Sequence, residues 1–302
     1  MIKHFVDLDN FTKTELRNIL SIAKQIKKNP EKYASRCKNK TLVMIFEKES
    51  TRTRVSFNIG IQKLGGNAIE LDSKKIGFGK RESISDVLQV LSQYIDVLMI
   101  RNNSHEELVQ CAAYNKISII NGLSNYSHPC QVLSDIFTIT EKLGKIEKKQ
   151  ITWLGDFNNV LNSLIHAAEI FNFKLNILMP KKIMEMAKKK LDNKKLVYSN
   201  FCYDFDKALK NSDCVMTDTW ISMGEKKSQS KIKSLQKFQV NDMIMKKAKK
   251  QAIFMHCLPA HRNEEVTDSV IDSNKSLVWE QAKNRMYVQQ SILYYLLKDV
   301  KK

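Results

Sequence analysis

Short apolar runs alternate with amphipathic helical stretches along this chain, and that alternation restricts it to one broad architecture. Strand-like runs fall at 41–46, 68–71, 96–100 and 117–120, and again at 151–154, 175–178, 213–216 and 252–255. Helical patterns lie between them: one to about Lys28 behind a capping box at Thr12 and Glu15, then 55–64, 83–94, 105–114 and 129–142, with a last one from about 283 to 297. Strands that alternate with helices predict parallel sheets covered on both faces. With 302 residues the chain can build two such units of about 150 residues each. The expected fold class is α/β, with two doubly wound parallel-sheet domains and the active site in the cleft between them. The expected domains are 1–134, with a C-terminal helix of about 284–302 packing back on it, and 135–283, with the helix at 129–142 as the bridge. Asn121-Gly122 reads as the start of a loop to His128, and the lysine-rich 226–250 stretch as a mobile surface segment followed by a helix.

Composition excludes several function classes. No apolar run approaches the ~20 residues that span a bilayer, and the first residues carry no signal-like apolar core, so a cytoplasmic protein with no membrane partner is expected. The six cysteines (37, 111, 130, 202, 214 and 257) form no C-x-x-C pair, which argues against a zinc ribbon or thioredoxin motif and for reduced thiols. A net charge of +18 suggests nucleic acid, yet 42 of the 50 basic residues are lysines spread along the whole length. With glycine and proline scarce, this resembles an AT-rich coding bias, and no nucleic-acid partner is expected. The eight arginines thereby become the more informative cations.

Ser50-Thr51-Arg52-Thr53-Arg54 follows the first strand and opens a helix. Unpaired backbone N–H groups and the helix dipole favour an anion there, and hydroxyls and guanidiniums match phosphate oxygens. Ligands in open α/β sheets sit outside the carboxyl ends of strands. Those ends also carry Arg101, the loop to His128, Gly155 to Asn159, Asp218 to Gly224 and His256 to Arg262. Read alone, His128-Pro129 fits a structural turn as well as a carbonyl-binding site, and Cys257 fits a small packed side chain as well as a reactive thiol.

Taken together, S-T-R-T-R, His128-Pro129-Cys130-Gln131, Asp218-Thr219-Trp220-Ile221-Ser222-Met223-Gly224 and His256-Cys257-Leu258-Pro259-Ala260-His261-Arg262 resemble the aspartate/ornithine carbamoyltransferase family over nearly the whole chain. Gly155-Asp156 with Asn158-Asn159-Val160, and Glu264 to Asp268, extend the resemblance. The S-M-G and H-C-L-P motifs are similar to its ornithine branch. That resemblance implies transfer of a carbamoyl group from carbamoyl phosphate to the δ-amine of L-ornithine by direct attack, giving L-citrulline and phosphate. It implies no metal and no organic cofactor, and a homotrimer or a multiple of trimers. On it, Ser50, Thr51, Arg52 and Thr53 hold the phosphate, and Arg101, His128 and Arg285 face the carbonyl. Gln131 holds the carbamoyl NH₂, and Cys257 and Leu258 border carbamoyl phosphate and handle the δ-amine. Asn159, Asp218, Ser222 and Met223 bind ornithine. The implied catalytic set is Arg101, His128, Cys257 and Arg285.

One position departs from the family. Gly77 stands where the family has a glutamine that reaches carbamoyl phosphate, so Lys75 or Lys80 substitutes for that contact or binding is weaker. Alternative functions are a sibling carbamoyltransferase for a modified ornithine, and a catalytically silent or nucleic-acid-binding protein on the same fold. A dehydrogenase reading fails because Gly155 stands without the rest of a G-x-G-x-x-G.

Overall fold

The computed structural model describes residues 2–73, 82–191, 196–221, 225–226 and 228–298. The chain divides into two compact units: Met1–Ser134 together with Asn284–Lys302, and Asp135–Lys283. Each is a parallel sheet flanked by helices.

In the first unit, β1 (Thr41–Phe46), β2 (Asn67–Asp72), β3 (Val97–Arg101) and β4 (Ser118–Leu123) pair in the order β2-β1-β3-β4. All neighbours run parallel, and Phe46 stands beside Arg101 at the carboxyl ends. The central strands are buried along almost their whole length, which is why their sequences read as unbroken apolar runs. Val43, Ile45, Leu98, Ile100 and Ile119 share one cluster with Leu88 and Leu108 of the covering helices. Polar caps start the helices where the apolar periodicity begins: Thr12 before Lys13–Lys28, Ser50 before Thr51–Lys63, Ser83 before Ile84–Tyr94 and Ser104 before His105–Ala113.

Asn121-Gly122 is not the start of a loop. Both residues belong to β4, and the register slips there, so that Ile100 pairs with Asn121 but Arg101 pairs with Leu123. A Cβ at 122 would run into Met99 Sδ and crowd the Ile100 carbonyl, so a larger residue at the bulge would displace Met99. The bulge falls at the position that presents Arg101.

The second unit holds β5 (Gln150–Leu154), β6 (Lys174–Leu178), β7 (Ser199–Cys202), β8 (Cys214–Thr217) and β9 (Ile253–His256), in the order β7-β6-β5-β8-β9. Leu154, Leu178, Val215 and Phe254 anchor its core. The lysine-rich 226–250 stretch is more ordered than its composition suggests: Gln229–Leu235 and Asp242–Lys247 are helices, held by buried Leu235, Val240, Ile244 and Met245. The final helix, Val278–Leu297, begins before the position read from the sequence.

β7 has no strand signature of its own. Its register comes from β6, and its entry is held by Glu169, whose carboxylate accepts from the backbone N–H groups of Val197, Tyr198 and Ser199 at 2.9–3.2 Å and from Ser199 Oγ at 2.9 Å. Glu169→Ala leaves four donors to find water and is expected to cost about 2–3 kcal/mol, since hydrogen bonds to a charged acceptor are the strong ones. Chemical denaturation reads this directly; a loss below about 0.5 kcal/mol would show that β6 alone specifies the edge strand.

In both sheets the order in which strands are added reverses beside the first strand, between β1 and β3 and between β5 and β8. Crevices at such switch points, at the carboxyl ends, are where open α/β sheets bind ligands.

Candidate active site

At the first switch point the Thr51–Lys63 helix begins under β1. Ser50 caps it, accepting from Thr53 N and donating to Thr53 Oγ1 at 3.0 Å. Thr53 is fully buried, and its hydroxyl also accepts from two guanidiniums: Arg101 Nη1 at 3.4 Å, from the end of β3, and Arg285 Nη2, from the final helix. Arg285 Nη1 reaches Gln131 Oε1 at 3.1 Å. Arg101, Gln131 and Arg285 are all buried, so two guanidiniums converge on one hydroxyl at a helix N-terminus. Low-dielectric surroundings make such a place strongly attractive to an anion. Arg52 is half-buried, while Thr51 faces solvent. Arg54 is engaged elsewhere, with Nη2 at 3.0 Å from Glu49 and 2.8 Å from Glu70, so only one guanidinium of the pentad stays available to an anion.

His128 sits buried just ahead of the Pro129–Leu143 helix. Burial first, then the positive charges of Arg285, Arg101 and Arg52, hold its pKa well below 6.5. The unfolded chain therefore binds a proton below pH 6.5 that the folded chain refuses, and stability falls as pH drops beneath that value. The expected slope from this residue is at most about 1.4 kcal/mol per pH unit. Urea denaturation of wild type and His128→Gln between pH 5 and 8 tests it: the curves should run parallel above pH 7 and converge below 6.5. Parallel curves throughout would mean that His128 titrates normally.

At the switch point of the second sheet, Asn158 ends the loop after β5 and caps the Asn159–Phe171 helix, its Oδ1 accepting from Val160 N and Leu161 N. Its other side-chain atom, Nδ2, donates to Asp218 Oδ2 at 2.7 Å. Asp218 follows β8 and is buried, and its Oδ1 accepts from the Cys257 thiol at 3.1 Å. Asn159, half-buried, is the first residue of the helix. Ser222 and Met223 lie outside the described residues, as do Gly77, Lys75 and Lys80.

The turn carrying Cys257 and Leu258 is organised by residues that the motif reading left without a role. His256 Nδ1 accepts from Leu258 N at 2.9 Å, which places the ring proton on Nε2, 3.1 Å from Glu265 Oε1. Glu265 Oε1 also accepts from His261 N at 2.6 Å, and Gln281 Oε1 from His256 N at 3.1 Å. Leu258 takes φ 58° and precedes a cis peptide bond to Pro259. Asp218, His256 and Cys257 bring possible metal-ligand atoms within 4.8 Å of one another, but both ring nitrogens of His256 are committed to the turn. For the same reason His256 is oriented as a brace for the backbone and not as a base for the neighbouring thiol. Buried polar residues flanking a strand end are the one sequence signal that marks this group.

Polar side chains gathered at the switch points of two α/β sheets are the arrangement of an enzyme for small polar substrates, one an anion and one bearing a cation. The chain belongs to the aspartate/ornithine carbamoyltransferase family. Residues 3–141 match the family's carbamoyl-P binding domain and residues 147–296 its Asp/Orn binding domain. An ornithine carbamoyltransferase of Rhodopseudomonas palustris is 45% identical over 301 residues, covering 98% of this chain and 97% of the relative. One of Ruthia magnifica is 45% identical over 300 residues, covering 98% of this chain and all of the relative (100%). Among solved structures, an ornithine carbamoyltransferase from Burkholderia thailandensis superposes with TM-score 0.90 at 37% identity, covering 98% of this chain and 99% of that one. The Pyrococcus furiosus enzyme also gives 0.90, at 38% identity, with 99% and 98% covered.

Proposed function

We propose that this chain transfers the carbamoyl group of carbamoyl phosphate to the δ-amine of L-ornithine, giving L-citrulline and phosphate. One observation carries the reading: buried Thr53 Oγ1, at a helix N-terminus, takes hydrogen bonds from the guanidiniums of both Arg101 and Arg285. That arrangement suits a phosphate with a carbonyl beside it. Family membership supplies the reaction.

Ser50, Thr51, Arg52 and Thr53 hold the phosphate. Arg101, His128 and Arg285 donate to the carbonyl oxygen, where negative charge grows as the amine attacks; each such donor is worth ~3–4 kcal/mol when removed. Gln131, whose Oε1 accepts from Arg285, holds the carbamoyl NH₂. Asp218 pairs with the α-ammonium of ornithine, with Asn159, Ser222 and Met223 completing that site. Cys257 and the Leu258 carbonyl border the δ-amine. That amine has a lysine-like pKa of about 10 and must lose a proton before it attacks. A bond then forms between the nitrogen and the carbamoyl carbon, and the bond from that carbon to the phosphate oxygen breaks. Phosphate leaves with the electron pair and takes up a proton released by the nitrogen. Positioning and charge stabilisation supply the rate, without an acyl-enzyme.

The same reading carries a homotrimer, or a multiple of trimers, working in the cytoplasm without nucleic-acid or membrane partners. Six free cysteines and the lack, among the described residues, of any helix long and apolar enough to cross a membrane agree with that location. Citrulline formed from carbamoyl phosphate and ornithine, read colorimetrically, is the test of function. Carbamoylation of a modified ornithine or of aspartate in its place would overturn the assignment. Sedimentation should give a multiple of three times 35.0 kDa.

A further inference from the structure

The Gln229–Leu235 helix carries a lysine to which the chemistry above assigns no part. Lys231 Nζ lies 2.7 Å from Asp156 Oδ2, and 2.7 and 3.0 Å from the two carboxylate oxygens of Glu225. Asp156 is buried, and desolvation pushes its carboxyl up against the opposing pull of Lys231. Desolvation works against the lysine as well, yet its hydrogen bonds to Asp156 and Glu225 outweigh burial and raise its pKa. Asp156 lies in the loop that ends at Asn158, the residue that holds Asp218. Trp153 Nε1 and Gly155 N fasten the start of that loop to its own sheet. Its outer side is tied twice to the chain that follows β8, directly from Asn158 to Asp218 and through Lys231 from Asp156 to Glu225.

We infer that Lys231 is a positioning residue for the amino-acid substrate: by bridging Asp156 and Glu225, it holds in register the loop that presents Asn158 to Asp218. This rests on the reading of Asp218 as the partner of the ornithine α-ammonium. Without the cation, Asp156 is a buried carboxylate with no counter-charge from Lys231; it moves toward water or takes a proton, and Asn158 moves with it. Small displacements of a binding group are costly, up to about a hundredfold for roughly 1 Å. Since Lys231 ties Asp156 to Glu225, and that loop presents Asn158 to Asp218, the effect should fall on the amino-acid substrate.

Steady-state kinetics on Lys231→Met, Lys231→Arg and the double variant Asp156→Asn/Lys231→Met test this. Lys231→Met should raise the KM for ornithine about tenfold and leave that for carbamoyl phosphate within about twofold. Lys231→Arg, which keeps the charge and the reach, should stay within about threefold of wild type. The double variant removes the uncompensated charge, so it should melt within about 2 °C of wild type while keeping the raised ornithine KM. It carries the test if Lys231→Met alone is too unstable to purify. An unchanged ornithine KM, an equal rise for both substrates, or a double variant with wild-type ornithine KM would overturn the inference. Wild-type protein that makes no citrulline from ornithine would instead overturn the substrate reading, visible before any variant is made.

Discussion

Arg285→Ala is expected to lower kcat/KM for carbamoyl phosphate by about 30- to several-thousand-fold. Its guanidinium is buried and forks between Thr53 Oγ1 and Gln131 Oε1, so it arranges two groups of the proposed cradle as well as supplying one of the proposed donors to the carbonyl. Losing a charge-assisted donor in a site shielded from water costs about 2–5 kcal/mol, which sets that range. Two controls sharpen the result. Arg285→Lys keeps the charge without the planar fork and should recover only part of the activity. Because Thr53 and Gln131, its two partners, are both assigned to carbamoyl phosphate, the KM for ornithine should move much less. An alanine variant within about threefold of wild type would place the anion site elsewhere.

Asp218→Asn should raise the KM for ornithine roughly a hundredfold while barely changing that for carbamoyl phosphate, because only ornithine brings an ammonium to it. The carboxylate already accepts from Asn158 Nδ2 and the Cys257 thiol. An amide at 218 removes the charge and sets an NH₂ against one of those two donors. Loss of the charge also weakens the acceptor that remains, so the pH profile for ornithine should shift along with its KM. Equal losses for both substrates would make Asp218 a brace for the Cys257 turn and not a ligand for the amine.

Much of the architecture was legible because it rests on local chemistry. β1, β3 and β8 are buried on both faces and so read as nearly unbroken apolar runs, and side chains that satisfy backbone N–H groups start the helices after β1, β3 and β5. Where local preference was weak, tertiary structure decided. β7 reads Ser-Asn-Phe-Cys and becomes a strand because β6 offers an edge and Glu169 gathers its first amides. Asn121-Gly122 has the composition of a turn, yet it lies within β4 because β3 pairs with it across a register shift, where Gly122 packs closely on Met99.

The candidate site divides in the same way. Order and type of residue along the chain determined the S-T-R-T-R helix start, the polar strand ends and the family to which they belong, since each depends on neighbours a few positions away. Only the folded chain decided that Arg285 meets Thr53 from 232 positions away, that Arg54 turns to Glu49 and Glu70, and that both nitrogens of His256 are spent on Leu258 and Glu265. Those choices depend on which long side chain finds its acceptor once water has left, and that competition is settled by packing, not by spacing in the sequence.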